Sequence, residues 1–172
     1  EQFRNLPKLK DEQVYVEKTE YVTVCGTEYD INSYSAKIKI TEENFDSIDF
    51  TELKKLPKLE LLTVDNLTEK EIDIAPLNEL ENLRWLDISG EYDKEQLKEF
   101  DKFEFLNNGA PLEILAEMDS LKCIDVGNKD NLSALYDMEQ LEAVKYCYLQ
   151  QQNGEIDKLA EKRPDLLLIY VP

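Results

Sequence analysis

Apolar residues recur at every third position in four stretches of the chain, and each stretch closes on two apolar residues two apart. Leu53, Leu56, Leu59, Leu62 and Val64 make the first, and Leu77, Leu80, Leu83, Leu86 and Ile88 the second. Leu115, Met118, Leu121, Ile124 and Val126 make the third, and Leu135, Met138, Leu141, Val144 and Tyr146 the fourth. All share one register without a gap, a match that chance does not produce in a chain 42% apolar. Side chains three apart lie along one face of a short helix or 3-10 turn. Side chains two apart leave the same face of a strand. Each copy is thus one turn followed by one strand, and nothing within a copy can bury its leucines. Stacked copies can, and stacking aligns their strands in parallel. The expected fold is an α/β solenoid with a concave parallel β-sheet and short helices or 3-10 turns on its convex side.

Weaker copies flank these four. Ile38 and Ile40 read as the strand of a first, capping copy. Leu166, Ile169 and Val171 repeat the strand at the other end, with Ile156 and Leu159 upstream and one extra residue between. In the middle, Leu97, Phe100, Phe103 and Phe105 fit the last four columns as a bulky, cramped copy. Counted on the first strand residue, Ile38 to Leu62 and Leu62 to Leu86 are steps of 24, Ile124 to Val144 of 20 and Val144 to Ile169 of 25. The step from Leu86 to Ile124 is 38, which a strand at Phe103 divides into 17 and 21. Residues 91–112 are therefore a squeezed copy or an insertion, with the squeezed copy preferred.

The strings LKKLPKLELLTVDNL and LNELENLRWLDISG resemble the leucine-rich-repeat family, over about residues 34–171, and steps of about 20–29 residues are those of that family. The stretch YVTVCGTEYDINSYSAKIKI is similar to the opening of repeat domains in bacterial surface or secreted proteins. There a short hairpin with a Gly-x-x-Tyr turn precedes the first strand, and Gly26 and Tyr29 would take those places. The resemblance implies a protein-binding module, ligand unknown, on the surface of a bacterium or outside it. An intracellular, cytoplasmic regulatory scaffold and a calcium- or carbohydrate-binding adhesin module are the alternatives. One feature departs from the family, which places Asn three residues after the second strand position. Here that column holds Leu67, Glu91, Lys129 and Leu149, while Asn66 and Asn128 stand one position early. The asparagine ladder is shifted or missing.

Val14, Val16, Val22 and Val24 alternate with polar residues, as in half-buried strands joined by Glu17–Glu20. A terminal copy must hide its apolar edge, so residues 1–33 are expected to form a lead-in and a β-hairpin cap, and residues 34–172 the solenoid, within one domain.

The remaining composition narrows the chemistry. There is no histidine, which removes the commonest general base and metal ligand. A cysteine nucleophile and a Ser-His-Asp arrangement both lack their base. With 38 acidic residues a close carboxylate pair carries little information, and the five glycines form no phosphate loop. No enzymatic activity and no cofactor are expected. The segment from Asp125 to Asn131 holds oxygen ligands, but not at EF-hand spacing, and reads as a turn; no metal is expected. A net charge of −18 argues against nucleic acid and anionic membranes. It permits a basic protein partner. No apolar run approaches the roughly 20 residues that cross a bilayer, so no membrane insertion is expected, and the chain is read as a monomer. Cys123 and Cys147 would be offset by four residues on adjacent strands, about 13 Å, too far to bridge. Cys25 lies in the cap, so three thiols are expected.

Function would sit on the concave face, where residues between the inward leucines point outward. One row reads Leu61, Trp85, Cys123, Ala143, Leu168, and the next Thr63, Asp87, Asp125, Lys145, Tyr170. An apolar row beside a mainly acidic one suits a protein partner, with Trp85 and Tyr170 as anchors. The predicted contact set is Leu61, Thr63, Trp85, Asp87, Asp125, Lys145, Leu168 and Tyr170. The competing reading packs Trp85 on a neighbouring loop or beneath residues 91–112, and leaves Asp87 and Asp125 as solvated surface.

Overall fold

The computed structural model describes residues 19–107, 110–127 and 129–171. Two strands, β1 (Tyr21–Val24) and β2 (Thr27–Asp30), form an antiparallel hairpin. There follow β3 (Ser35–Ile40), β4 (Leu61–Asn66), β5 (Trp85–Ser89), β6 (Phe105–Asn107), β7 (Cys123–Asp125), β8 (Ala143–Tyr146) and β9 (Leu167–Tyr170). These seven make one parallel sheet whose spatial order is the sequence order. The crossings run through 3-10 turns at Phe50–Lys55, Ala75–Glu79, Lys94–Glu99 and Ser133–Leu135, and through short helices α1 (Leu112–Leu115), α2 (Tyr148–Gln152) and α3 (Glu155–Lys162).

The turns form where the sequence supplies their ends. Asp49 accepts the backbone N–H of Thr51 at 2.9 Å, and Asp93 that of Glu95 at 3.1 Å, each satisfying a donor that the first turn leaves open. Pro76 stands in the first turn at Ala75–Glu79, where a missing N–H costs nothing. Three turns close alike: Leu56, Leu80 and Phe100 donate to the carbonyls of Leu53, Leu77 and Leu97. Side chains three apart are thereby drawn to the sheet side. Leu53, Leu77, Leu97, Leu115, Leu135 and Leu159 are at most 1% exposed. Burying one leucine contributes about 2 kcal/mol, so this column alone is a large share of the core.

The strand register corrects the expected pattern in three places. First, Leu86 pairs with Leu106 and Leu106 with Ile124, so the inward strand residue of the central copy is Leu106, not Phe103. Leu97, Phe100, Phe103 and Leu106 occupy the first four columns and all four are buried, whereas Phe105 lies on the opposite face. Second, Val144 pairs with Leu168, which turns Leu168 inward and Leu167 outward. The steps from Leu62 through Leu86, Leu106, Ile124 and Val144 to Leu168 are 24, 20, 18, 20 and 24 residues, and the extra residue disappears. Third, Ala36, rather than Ile38, aligns with Leu62. At the N-terminal end, the hairpin turns at Cys25 and Gly26, both at positive φ (46° and 77°), as a two-residue hairpin turn requires. Strand β1 pairs with residues 27–30; Val14, Val16 and the first half of the expected Glu17–Glu20 connection lie outside the described residues. Tyr29, at the position the resemblance marked, donates its hydroxyl to the carbonyl of Lys37 at 2.5 Å and ties the hairpin to β3.

Asn66 carries one rung of the shifted ladder. Its side chain is buried and donates to the carbonyls of Lys70 (2.8 Å) and Glu91 (2.7 Å) while accepting from the Thr68 hydroxyl (2.7 Å). The chain beside it must be glycine: Gly90 has φ +87°, and a Cβ there would meet the Asn66 carbonyl oxygen at 2.1 Å. Asn128 lies outside the described residues.

Both ends of the stack are closed by side chains on backbone. At the hairpin end, Glu52 accepts the N–H of Cys25 at 2.7 Å and Lys55 donates to the carbonyl of Thr23 at 3.1 Å. At the far end, Glu155 accepts the N–H of Leu132 at 3.0 Å. The Arg163 guanidinium donates to the carbonyls of Leu135 (3.4 Å), Met138 (2.7 Å) and Leu141 (3.1 Å) and pairs with Asp165 at 2.7 Å.

Candidate functional site

Alternation along each strand sorts the sheet into a buried face under the turns and an open face. Across the open face, hydrogen-bonded register sets the rows. The first reads Ser35, Leu61, Trp85, Phe105, Cys123, Ala143, Leu167, and the second Lys37, Thr63, Asp87, Asn107, Asp125, Lys145, Ile169. Six of the eight expected contact residues stand here: Leu61, Thr63, Trp85, Asp87, Asp125 and Lys145. The other two do not. Leu168 packs against the core. Tyr170 pairs with Tyr146, their rings 5.6 Å apart, and stands outside the two open-face rows although it is 46% exposed.

The centre of the first row is aromatic. Trp85 and Phe105, neighbours on β5 and β6, stack with centroids 4.7 Å apart and planes 26° off parallel. Phe105 is covered, at 7% exposed, while Trp85 remains 46% exposed. Trp85 thus packs on a neighbouring strand, rather than on a loop or beneath residues 91–112, and still presents ring surface to solvent. Leu61 and Leu167, 38% and 62% exposed, extend the apolar row to either side. Sequence reasoning missed Phe105 and Leu167. The signal for Phe105 was present: Leu97, Phe100 and Phe103 continue at period three to Leu106, which leaves Phe105 on the other face.

The second row is charged, and its charges are unevenly matched. Lys37 pairs with Asp65 at 2.8 Å, and Lys145 with Asp125 at 3.4 Å. The Lys145 ammonium also lies 5.3 Å from the centroid of Phe105, a cation over an aromatic face. Asp87 stands between the two ion pairs and forms none itself among the described residues. Partial burial pushes its carboxyl above the usual carboxylate range, and the nearby Asp65 adds to the shift against the pull of Lys145 and Lys37. Beside Asp87 and Asn107 a cleft of about 400 Å³ opens toward Ser89 and Lys94.

The cysteines remain thiols. Burial raises the Cys123 thiol, and chiefly burial that of Cys25, so neither is an activated thiolate. In the segment weighed for calcium, Asp125 spends one oxygen on the N–H of Gly127 at 2.9 Å and the other on Lys145. Among the described residues no group of three or more cysteines and carboxylates is arranged to hold a metal. No helix there is long and apolar enough to cross a membrane.

No family model matches the sequence, and no curated protein matches it. Among solved structures, an internalin from Listeria monocytogenes is similar at 20% identity, over 71% of this chain and 36% of that chain, with a TM-score of 0.38. The chain thus spans about a third of that internalin's length, and a likeness of this size establishes neither family nor partner.

Proposed function

We propose that the chain is a leucine-rich-repeat solenoid that binds another protein through the open face of its sheet. The observation that carries this reading is the row Leu61, Trp85, Leu167, three large apolar side chains left exposed on a face whose opposite side buries nearly every apolar residue. Exposed aromatic rings beside charged residues are the usual anchors of protein interfaces. The same reading makes the module non-catalytic, in keeping with a chain without histidine. A bacterial surface setting rests on the sequence resemblance alone, and the gene upstream of Glu1 tests it through the presence of an export signal.

The test compares three immobilised proteins exposed to bacterial culture supernatant and to lysate: wild type, a Trp85→Ala, Leu167→Ala variant, and a Glu161→Gln variant altered on α3 instead. A partner retained by wild type and Glu161→Gln but lost by the open-face variant, with circular dichroism unchanged, supports the reading. Equal retention by all three sinks it.

A further inference from the structure

We infer that the open face is built to seat an arginine of a basic partner segment, its guanidinium lying on Trp85 and pairing with Asp87. This rests on the reading of the open face as the interaction surface, and adds the chemistry of what it takes. Three observations support it.

The first is an unmatched carboxylate among the charges of the open face. Asp65 and Asp125 each have a lysine, at 2.8 and 3.4 Å, whereas Asp87 between them has no ion-pair partner among the described residues. Its partly buried carboxylate is held at a cost that the pull of Lys145 and Lys37 only partly offsets, and an incoming cation lowers that cost.

The second is a neighbouring site where the same two kinds of group already hold a cation. One strand over, Phe105 in the first row and Asp125 in the second together hold Lys145, with its ammonium over the ring and against the carboxylate. Phe105 and Asp125 stand on adjoining strands, β6 and β7, whereas Trp85 and Asp87 present the same two kinds of group on β5 alone, two residues and about 7 Å apart along the strand, with the indole 46% exposed. A flat indole favours arginine over lysine, because a guanidinium stacks on the ring while its fork reaches a carboxylate, which an ammonium cannot do in one geometry.

The third is charge. At −18 the chain attracts basic segments at long range and repels a second copy of itself. Lys94, at the rim of the adjoining cleft, faces Glu91 at 3.9 Å, so its charge is partly offset.

Trp85 is the sole tryptophan, so its fluorescence reports directly on the seat. The full chain is titrated with hexa-arginine and with hexa-lysine peptides. The expected result is a saturable change in Trp85 emission with hexa-arginine, at an affinity about five-fold or more above that of hexa-lysine. Asp87→Asn, which keeps the fluorophore, should weaken hexa-arginine binding about five-fold or more, while Glu161→Gln, which removes one charge from an exposed position on α3, should change it less than about two-fold. Equal affinity for the two peptides, equal loss in the two variants, or an unchanged emission would each overturn the inference. The two levels fail separately. If the titration fails while the Trp85→Ala, Leu167→Ala variant still loses a captured partner, the arginine seat falls and the interaction face stands.

Discussion

The hairpin end of the sheet and its α3 end meet the same physical requirement in different surroundings. A stacked copy in the interior shares its backbone groups with a neighbour on each side; a terminal copy has a neighbour on one side only. At the hairpin end the missing partners are supplied by Glu52 and Lys55, which are 2.6 Å apart and both partly open to water. At the α3 end they are supplied by Glu155 and Arg163, whose side chains are only 10% and 11% exposed. Water can stand in for the first pair. It cannot reach the carbonyls of Leu135, Met138 and Leu141 without opening the core. The same kind of bond therefore carries very different weight at the two ends, and burial, not bond count, sets the difference.

Arg163→Met should break the comparison most strongly. It preserves an apolar stem and orphans up to three carbonyls, which predicts a loss of about 3 kcal/mol in urea unfolding. A loss no larger than that of an exposed substitution would mean that the α3 end is not closed by this guanidinium. Glu155→Gln comes next, at about 1 kcal/mol at neutral pH, because the amide oxygen can still accept the Leu132 N–H. Its signature is pH. The hydrogen bond from Lys158, with the Leu132 N–H, holds the Glu155 carboxyl below the usual range. A depressed carboxyl contributes stability that is complete above the unfolded value, about 4.3, and is lost as pH falls through the lower folded value. The unfolding midpoint of wild type should therefore drop more between pH 6 and pH 3 than that of the variant.

Glu52→Gln should cost less than either. Its carboxyl is lowered by Lys55 and by the Cys25 N–H, so the pH sign is the same, but about 0.5 M salt should erase most of the effect because the pair is exposed. An undiminished effect in salt would put the hairpin end in the same class as the α3 end. The smallest change belongs to the centre of the open face, where the sign reverses. The Asp87 carboxyl is raised, chiefly by burial, so its ionised form penalises the fold. That penalty is absent below the unfolded value of about 3.9 and complete above the folded one. Asp87→Asn should be equal to wild type at pH 3 and slightly more stable at pH 7, by thermal melting. A destabilised variant at pH 7 would show that Asp87 serves the fold rather than a partner.

The two halves of the open face were unequally legible before the structure was known. Leu61, Trp85, Asp87, Asp125 and Lys145 could be placed because each sits in a copy with leucines or their equivalents on all five columns. Phe105 was misplaced because Phe103, Phe105 and Leu106 are all apolar, so that the strand reads equally well from Phe103 and Phe105 unless period three is carried on to Leu106. Leu168 and Tyr170 failed for a related reason. In Leu166, Leu167, Leu168, Ile169, Tyr170 and Val171 every residue suits either face, and a one-residue slip inverts all of them. Arg163 gave no sequence signal, since one arginine near a helix end is ordinary until three carbonyls are found around it.

What the sequence determined by itself is the repeat: period three followed by period two, copied along the chain, leaves stacked strands with a buried column as the arrangement that keeps the leucines from water. Only the tertiary structure decided which face Phe105 and Leu167 occupy, which carboxylates found a lysine and which did not, and how the ends are closed. Those outcomes depend on register between strands about 20 residues apart in sequence and on hydrogen bonds across them, and neither is written in the local pattern of apolar and polar side chains.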